Sequence, residues 1–350
     1  MAARRPILLV TMGDPAGVGP EIVARSLAMP SLRRLARLVA VGDPEVLERA
    51  ARRARLKLRA PTEPDRFDPQ DASDRAPGVP VIASSRDGWS AVDPGTPTAA
   101  SGRAAARAIE VAAGLALGGR ADGIVTAPIS KVALRAAGYP HPGHTEFLGA
   151  LAGVPETKML FVGGAFRILL ATVHMALRDV PGALAVEPLT RTIEFAAAAL
   201  RNFRWGTKRA VAVLGLNPHA GEEGLFGDEE QRVIRPAIAA ARARGIAAEG
   251  PYPADTFFAQ HADRRDLGVV VAMYHDQGLI AAKQGGIGGA ANVTLGLPFV
   301  RSSVDHGTAF DRAWKGGSRR PDPAGLATAV RVGADLANRA GRRRLEWTWP

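Results

Sequence analysis

Short apolar runs alternate along the whole chain with longer Ala-, Leu- and Arg-rich segments of helical period, and this alternation leaves few architectures open. It is the pattern expected when parallel strands are joined by crossover helices, an α/β fold. The runs that read as strands are Ile7 to Met12, Leu38 to Val41, Gly123 to Thr126, Arg167 to Val173, Ala210 to Leu216, Leu267 to Met273 and Asn292 to Leu295. Each ends in a polar, Gly- or Pro-rich turn. In open α/β sheets the loops beyond the carboxyl ends of the strands form the ligand crevice, so the chemistry is expected there. A chain of 350 residues, 47% hydrophobic, is long enough for two lobes. The change of lobe is placed near Thr126, where a strand runs into Ala-Pro-Ile-Ser. Residues 1–125 with 300–350 then form a first α/β lobe and 126–299 a second. The segment Ala60 to Ser85, rich in Pro, Asp and Ala with little periodicity, reads as an exposed excursion.

Composition removes several function classes. Cysteine is absent, which excludes disulfides, thiolate metal sites and cysteine nucleophiles together, so a bound metal must be held by nitrogen and oxygen. No apolar stretch is long enough to cross a bilayer, and MAARRPILLVTMGD breaks into Gly and Asp too soon for a signal-peptide core, so a cytoplasmic protein without a membrane partner is expected. A net charge of +11 invites a nucleic-acid reading. Most of the excess, however, is Arg scattered through Ala-rich helical segments, and Arg342-Arg-Arg344 is confined to the C-terminal tail. Aromatics at 5% are too few for a base-stacking platform, so no nucleic-acid partner is expected.

Six of the seven histidines fall in loop-like positions or just after strands: His141, His144, His174, His219, His275 and His306. Any one of them, taken singly, reads as a satisfied polar residue. Collectively, His174, His219 and His275 follow three strands of the same kind and can converge on one ion. Their loops, Asn217-Pro-His-Ala-Gly-Glu222 and Tyr274-His-Asp-Gln-Gly278 among them, carry carboxylates and amides able to orient an imidazole. Two glycine-rich stretches fit no standard phosphate loop. Gly13-Asp-Pro-Ala-Gly-Val-Gly19 lacks both the G-x-G-x-x-G order and a Walker lysine, and Gln284-Gly-Gly-Ile-Gly-Gly289 precedes a strand. Lys283, Asn292 and Arg301 place an ammonium, an amide and a guanidinium in one region, as binders of phosphate or carboxylate or as ordinary surface cations.

Read together, Thr11-Met-Gly-Asp-Pro-Ala-Gly-Val-Gly-Pro-Glu21, Thr126-Ala-Pro-Ile-Ser-Lys131, Gly143-His-Thr-Glu-Phe147, Leu216-Asn-Pro-His-Ala-Gly-Glu222, Tyr274-His-Asp-Gln-Gly278 and Asn292 through Thr308 resemble the 4-hydroxythreonine-4-phosphate dehydrogenase family. The resemblance implies a two-lobed α/β/α subunit of the isocitrate/isopropylmalate dehydrogenase type, paired as a homodimer with its active site in the interlobe cleft at the subunit interface. It implies a divalent metal, zinc first and magnesium or cobalt otherwise, on His174, His219 and His275, with His275 supplied by the partner subunit. Substrate contacts map to His144, Thr145, Lys283, Asn292 and Arg301, mostly in the second lobe, and Lys283 is also a candidate catalytic proton relay. Asp305, His306, Gly307 and Thr308 are taken as the NAD or NADP contacts.

The implied reaction is oxidation of the C3 hydroxyl of 4-phosphooxy-L-threonine, a small phosphorylated hydroxy acid, followed by loss of carbon dioxide to give 3-amino-2-oxopropyl phosphate in pyridoxal phosphate synthesis. Ile287 and Ala291 depart from the family's usual aromatic and valine. The segment His174-Met-Ala-Leu-Arg-Asp-Val-Pro181 is similar to a sister branch acting on phosphorylated four-carbon acids such as 4-phosphoerythronate or 4-phosphothreonate, and more distant relatives oxidise aromatic diols. A metal-dependent hydrolase would use the same residue types but bridges paired metals with carboxylates, for which no motif is evident. A two-lobed binding protein is the third reading, and the missing export signal argues against it.

Overall fold

The structure is a computed structural model that describes residues 5–73, 76–206, 209–261, 263, 267–284, 286, 288–317 and 320–348. Twelve strands are present among them: β1 Ile7–Thr11, β2 Arg37–Gly42, β3 Leu58–Thr62, β4 Val79–Ala83, β5 Gly123–Thr126, β6 Lys158–Gly163, β7 Phe166–Leu170, β8 Ala210–Leu214, β9 Ala248–Tyr252, β10 Leu267–Ala272, β11 Ala290–Leu295 and β12 Val300–Ser303. The alternating α/β reading holds. The chain divides into two compact units, Met1–Thr157 with Leu297–Arg344, and Lys158–Gly296 with Leu345–Pro350. The change of unit comes at Lys158 rather than near residue 126. The helices Lys131–Ala136 and His144–Ala152, which follow β5, pack on the long helix Ala99–Leu117 of the first unit. Gly102 makes that crossing close, since a Cβ there would lie 2.1 Å from the Ala133 carbonyl oxygen.

In the first unit the strand order is β3-β4-β2-β1-β5-β12, all neighbours parallel. β1 is buried throughout, as an apolar central strand of a parallel sheet must be. The Ala99–Leu117 helix starts from a Thr98/Ser101 capping box. It lays Ala106, Ala108, Ile109 and Ala112 into a core with Leu9, Val39, Val41, Leu134 and Phe147. The expected excursion 60–85 is a correction, because it contains most of β3 and all of β4. β4 is mostly buried, whereas β3 is half-exposed at the sheet edge, where Pro61 removes no ladder bond that a neighbour needs.

In the second unit the order is β11-β6-β7-β10-β8-β9. β11, β6 and β7 run antiparallel to their neighbours, and β7, β10, β8 and β9 are parallel. Its core gathers Phe161, Ile168, Leu170, Leu214, Phe257 and Val270. Trp347 of the C-terminal tail stacks on Phe195, so the tail closes this unit.

Candidate functional site

In the first unit the parallel register aligns Thr11, Thr126 and Ser303 at the carboxyl ends of β1, β5 and β12. Arg301 lies two residues earlier on β12, only 2% exposed, and its Nη2 donates to Thr126 Oγ1 at 2.7 Å. Burial pulls this guanidinium down to about 9, with the Glu146 carboxylate partly opposing, so it still carries its charge at neutral pH. His144 opens the His144–Ala152 helix, and its Nε2 is buried without a hydrogen-bond partner among the described residues. Burial first, and the Arg301 charge second, hold its pKa well below the ordinary histidine value, so the imidazole is neutral. Thr145 beside it is buried. A buried cation, a neutral imidazole and a hydroxyl thus meet where the strands end, an arrangement that receives an anion. Thr126, which seats Arg301, was quoted in a motif but given no role by sequence reasoning.

The loops around this edge are built closely. Val18 N donates to Thr308 O at 2.9 Å, Asp14 N to Pro128 O at 2.9 Å and Gly95 N to Ala16 O at 2.8 Å. A Cβ on Gly17 would lie 2.9 Å from Thr308 O, so the 305–308 loop rests directly on the glycine-rich 13–19 loop. Of the residues expected to touch NAD, Asp305, His306 and Thr308 are half-buried and Gly307 is exposed.

In the second unit β7, β10 and β8 are consecutive neighbours, and the three candidate metal histidines follow these strands. His174 and His275 come together, with ring centroids 5.8 Å apart and planes tilted by 41°. The ladder brings them together by continuing past the strand ends, through Ala171 N to Ala272 O at 2.8 Å and Thr172 Oγ1 to Met273 O at 2.7 Å. At a metal–nitrogen distance of roughly 2.0–2.1 Å, the centres of two rings on one ion lie about 5–6 Å apart, so the spacing fits a shared cation. His275 Nδ1 pairs with Asp276 Oδ1 at 2.6 Å, which turns Nε2 outward. Both imidazoles line a cavity of ≈ 690 Å³ together with Met175, Leu177 and Tyr274.

Two expectations meet a different geometry here. Among the described residues of one chain, no three His, Asp or Glu side chains are grouped to hold a metal, so His219 does not join the pair. It lies in a left-handed turn, His219–Glu223, with φ between 43° and 84°, where Nδ1 pairs with Glu222 Oε2 at 2.8 Å and the ring sits edge-on to Phe226. His275, expected from the partner subunit, is instead beside His174 of its own chain, because β7 and β10 are adjacent. Sequence reasoning also missed Glu230. This buried carboxylate accepts Leu216 N at 2.7 Å, Asn217 N at 2.8 Å and Asn217 Nδ2 at 2.9 Å, anchoring the His219 turn. Gln277 Nε2 donates to Gly215 O at 2.7 Å and ties the β8 loop to the His275 helix.

The His275–Ala282 helix ends at Lys283, about 12 Å along its axis from His275. Asn292 is half-buried on β11, opposite Phe161, and Ala291 is fully buried beside it, opposite Val162. Ile287 lies outside the described residues.

Residues 34–332 match the family model described as pyridoxal phosphate biosynthetic protein PdxA. The chain is 44% identical, over 97% of its length and 98% of the relative's, to a 4-hydroxythreonine-4-phosphate dehydrogenase of Geobacter metallireducens. It is 42% identical, over 95% of its length and 98% of the relative's, to a D-threonate 4-phosphate dehydrogenase of Cupriavidus necator. The crystal structure of a 4-hydroxythreonine-4-phosphate dehydrogenase from Klebsiella pneumoniae superposes with a TM-score of 0.84 at 38% identity, covering 95% of this chain and 99% of that one. The likeness spans nearly the whole chain and both units, and the chain belongs to the PdxA family of pyridoxal phosphate biosynthetic proteins.

Proposed function

We propose that the chain is a metal-dependent dehydrogenase that oxidises the C3 hydroxyl of 4-phosphooxy-L-threonine with NAD or NADP and releases carbon dioxide, yielding 3-amino-2-oxopropyl phosphate. The observation that carries this reading is the facing pair His174 and His275, at a spacing that suits one divalent ion. An all-nitrogen donor set fits zinc, with cobalt or magnesium possible where substrate oxygens complete the shell. Bound there, the ion supplies Lewis-acid stabilisation of negative charge on the substrate's C3 oxygen.

The remaining steps fall to the chain's own residues. Arg301, charged and held by Thr126, grips an anionic end of the substrate, and neutral His144 with Thr145 hydrogen-bonds to the same end. Asn292 and Lys283 are further substrate contacts. The Lys283 ammonium returns a proton to the carbon vacated by carbon dioxide. Asp305 to Thr308, resting on the 13–19 loop, receive the nucleotide.

Exposed apolar side chains stand beside each histidine: Met175 and Leu177 after His174, Leu225 and Phe226 near His219, and Ile280 on the His275 helix. Such a patch favours burial against a second copy of the chain, which then brings its His219 to the His174–His275 pair. The second substrate reading is D-threonate 4-phosphate, favoured by the 42% identity to that dehydrogenase. NADH formation by metal-loaded protein offered each acid separately decides the matter. Turnover is expected with 4-phosphooxy-L-threonine. Turnover only with D-threonate 4-phosphate moves the enzyme to the second reading, and silence with both rejects the proposal.

A further inference from the structure

We propose a second anion site in the first unit, at the end of its sheet opposite the candidate active site, that takes a compact bisphosphorylated metabolite without an aromatic ring. A cavity of ≈ 340 Å³ opens where β2 and β4 begin, and it is lined by Arg5, Arg33, Arg34, Arg37 and Arg59. No carboxylate and no aromatic ring is among its described lining residues. Because every strand of this sheet is parallel, the amino end of β2 lies four residues, about 13 Å along the strands, from the level of Thr126 at the carboxyl ends.

The cavity is built rather than incidental. Arg59 spends its guanidinium on the wall, donating to Gly78 O at 3.1 Å, Asp71 O at 2.6 Å, Ser73 O at 2.7 Å and also to Ala76 O. Gly78, at φ +97°, turns that wall back into β4. Arg37 Nε is buried with no hydrogen-bond partner among the described residues. Arg33 and Arg34 stand exposed at the rim, and Arg5 Nη1 donates to Arg33 O at 2.9 Å. A desolvated guanidinium N–H with no acceptor among the described residues, under two rim guanidinia and against a wall already charged by Arg59, is suited to receive an anion. Arg33, Arg34 and Arg37, with no carboxylate among the described lining residues, call for more than one negative charge, the volume admits a small molecule, and no ring among those residues can stack a nucleobase.

Isothermal titration of the full-length, metal-loaded protein with fructose 1,6-bisphosphate, at ionic strength fixed with sodium chloride, tests this. One molecule bound per chain is expected. Affinity should fall at least roughly tenfold in Arg34→Gln/Arg37→Gln and in the wholly surface variant Arg33→Gln/Arg34→Gln, and stay unchanged in Arg301→Gln. KM for the dehydrogenase substrate should not move in the rim variant. Binding that survives both arginine pairs, disappears in Arg301→Gln, or is displaced by 4-phosphooxy-L-threonine overturns the proposal. So does binding seen only with RNA, or only with vesicles containing phosphatidylinositol 4,5-bisphosphate.

Discussion

Asp14 is fully buried in the loop after β1, its Oδ1 accepting Ala16 N at 2.9 Å and its Oδ2 taking the Ser101 hydroxyl at 3.3 Å. Those bonds are too few to offset desolvation, which raises its pKa from 3.8 to about 6. The folded chain therefore holds this proton at pH values where the unfolded chain has released it. The stability that protonated Asp14 contributes is present below pH 3.8 and is lost as pH rises to about 6, and above that the buried charge costs on the order of 2–3 kcal/mol. Asp14→Asn keeps the bonds and removes the charge. Its stability relative to the parent should rise between pH 4 and pH 6 by that amount and level off above, as followed by urea unfolding across pH. A difference that stays flat over this range would show that the carboxyl titrates normally. A destabilising buried carboxyl in the 13–19 loop, on which the 305–308 loop rests, is what a functional edge tolerates.

At the scale of elements, the His219 turn is the costly one. Four non-glycine residues between His219 and Glu223 adopt left-handed backbone, each at about 1–2 kcal/mol. Gly221 within the turn has no room for a side chain, since a Cβ would lie 2.7 Å from Glu230 Oε2. Glu230 opens a short π-helical turn, Glu230–Ile234, and holds the strained segment through three donors. In Glu230→Gln one carboxylate oxygen becomes an amide facing the Asn217 donor, so the turn should relax. Metal affinity is expected to fall by roughly 10–100-fold with the fold retained. Metal content after dialysis checks this, and a double variant with His219→Ala should bind metal no more weakly than His219→Ala alone. Additive losses would mean that Glu230 acts elsewhere.

The same elements mark how much the sequence discloses. All seven expected strands exist, because apolar runs ending at glycine or proline report burial directly. β3, β6 and β9 escape notice because they are half-exposed and carry polar or proline residues. The loop histidines were legible as a class. Which of them meet was not, since that depends on the adjacency of β7 and β10, and Glu230 reaches its loop across 13 residues.

For the whole molecule, the division of histidines makes a distinction that a single variant cannot. His174 and His275 share one cavity in one chain while His219 is held elsewhere on that chain, next to exposed Leu225 and Phe226. If a C2 pair of chains completes the site, each metal takes His174 and His275 from one subunit and His219 from the other. Mixing inactive His174→Ala and His219→Ala chains under conditions that exchange subunits then forms hybrids in which one site carries both lesions and the other carries none. With random exchange, half the dimers are hybrids with one sound site of two, so about a quarter of the parent activity should return. The mixture of His174→Ala with His275→Ala should stay inactive, because every site keeps one lesion. Recovery in that second mixture would place His275 on the partner after all, and recovery in neither would mean that all three imidazoles serve within one chain.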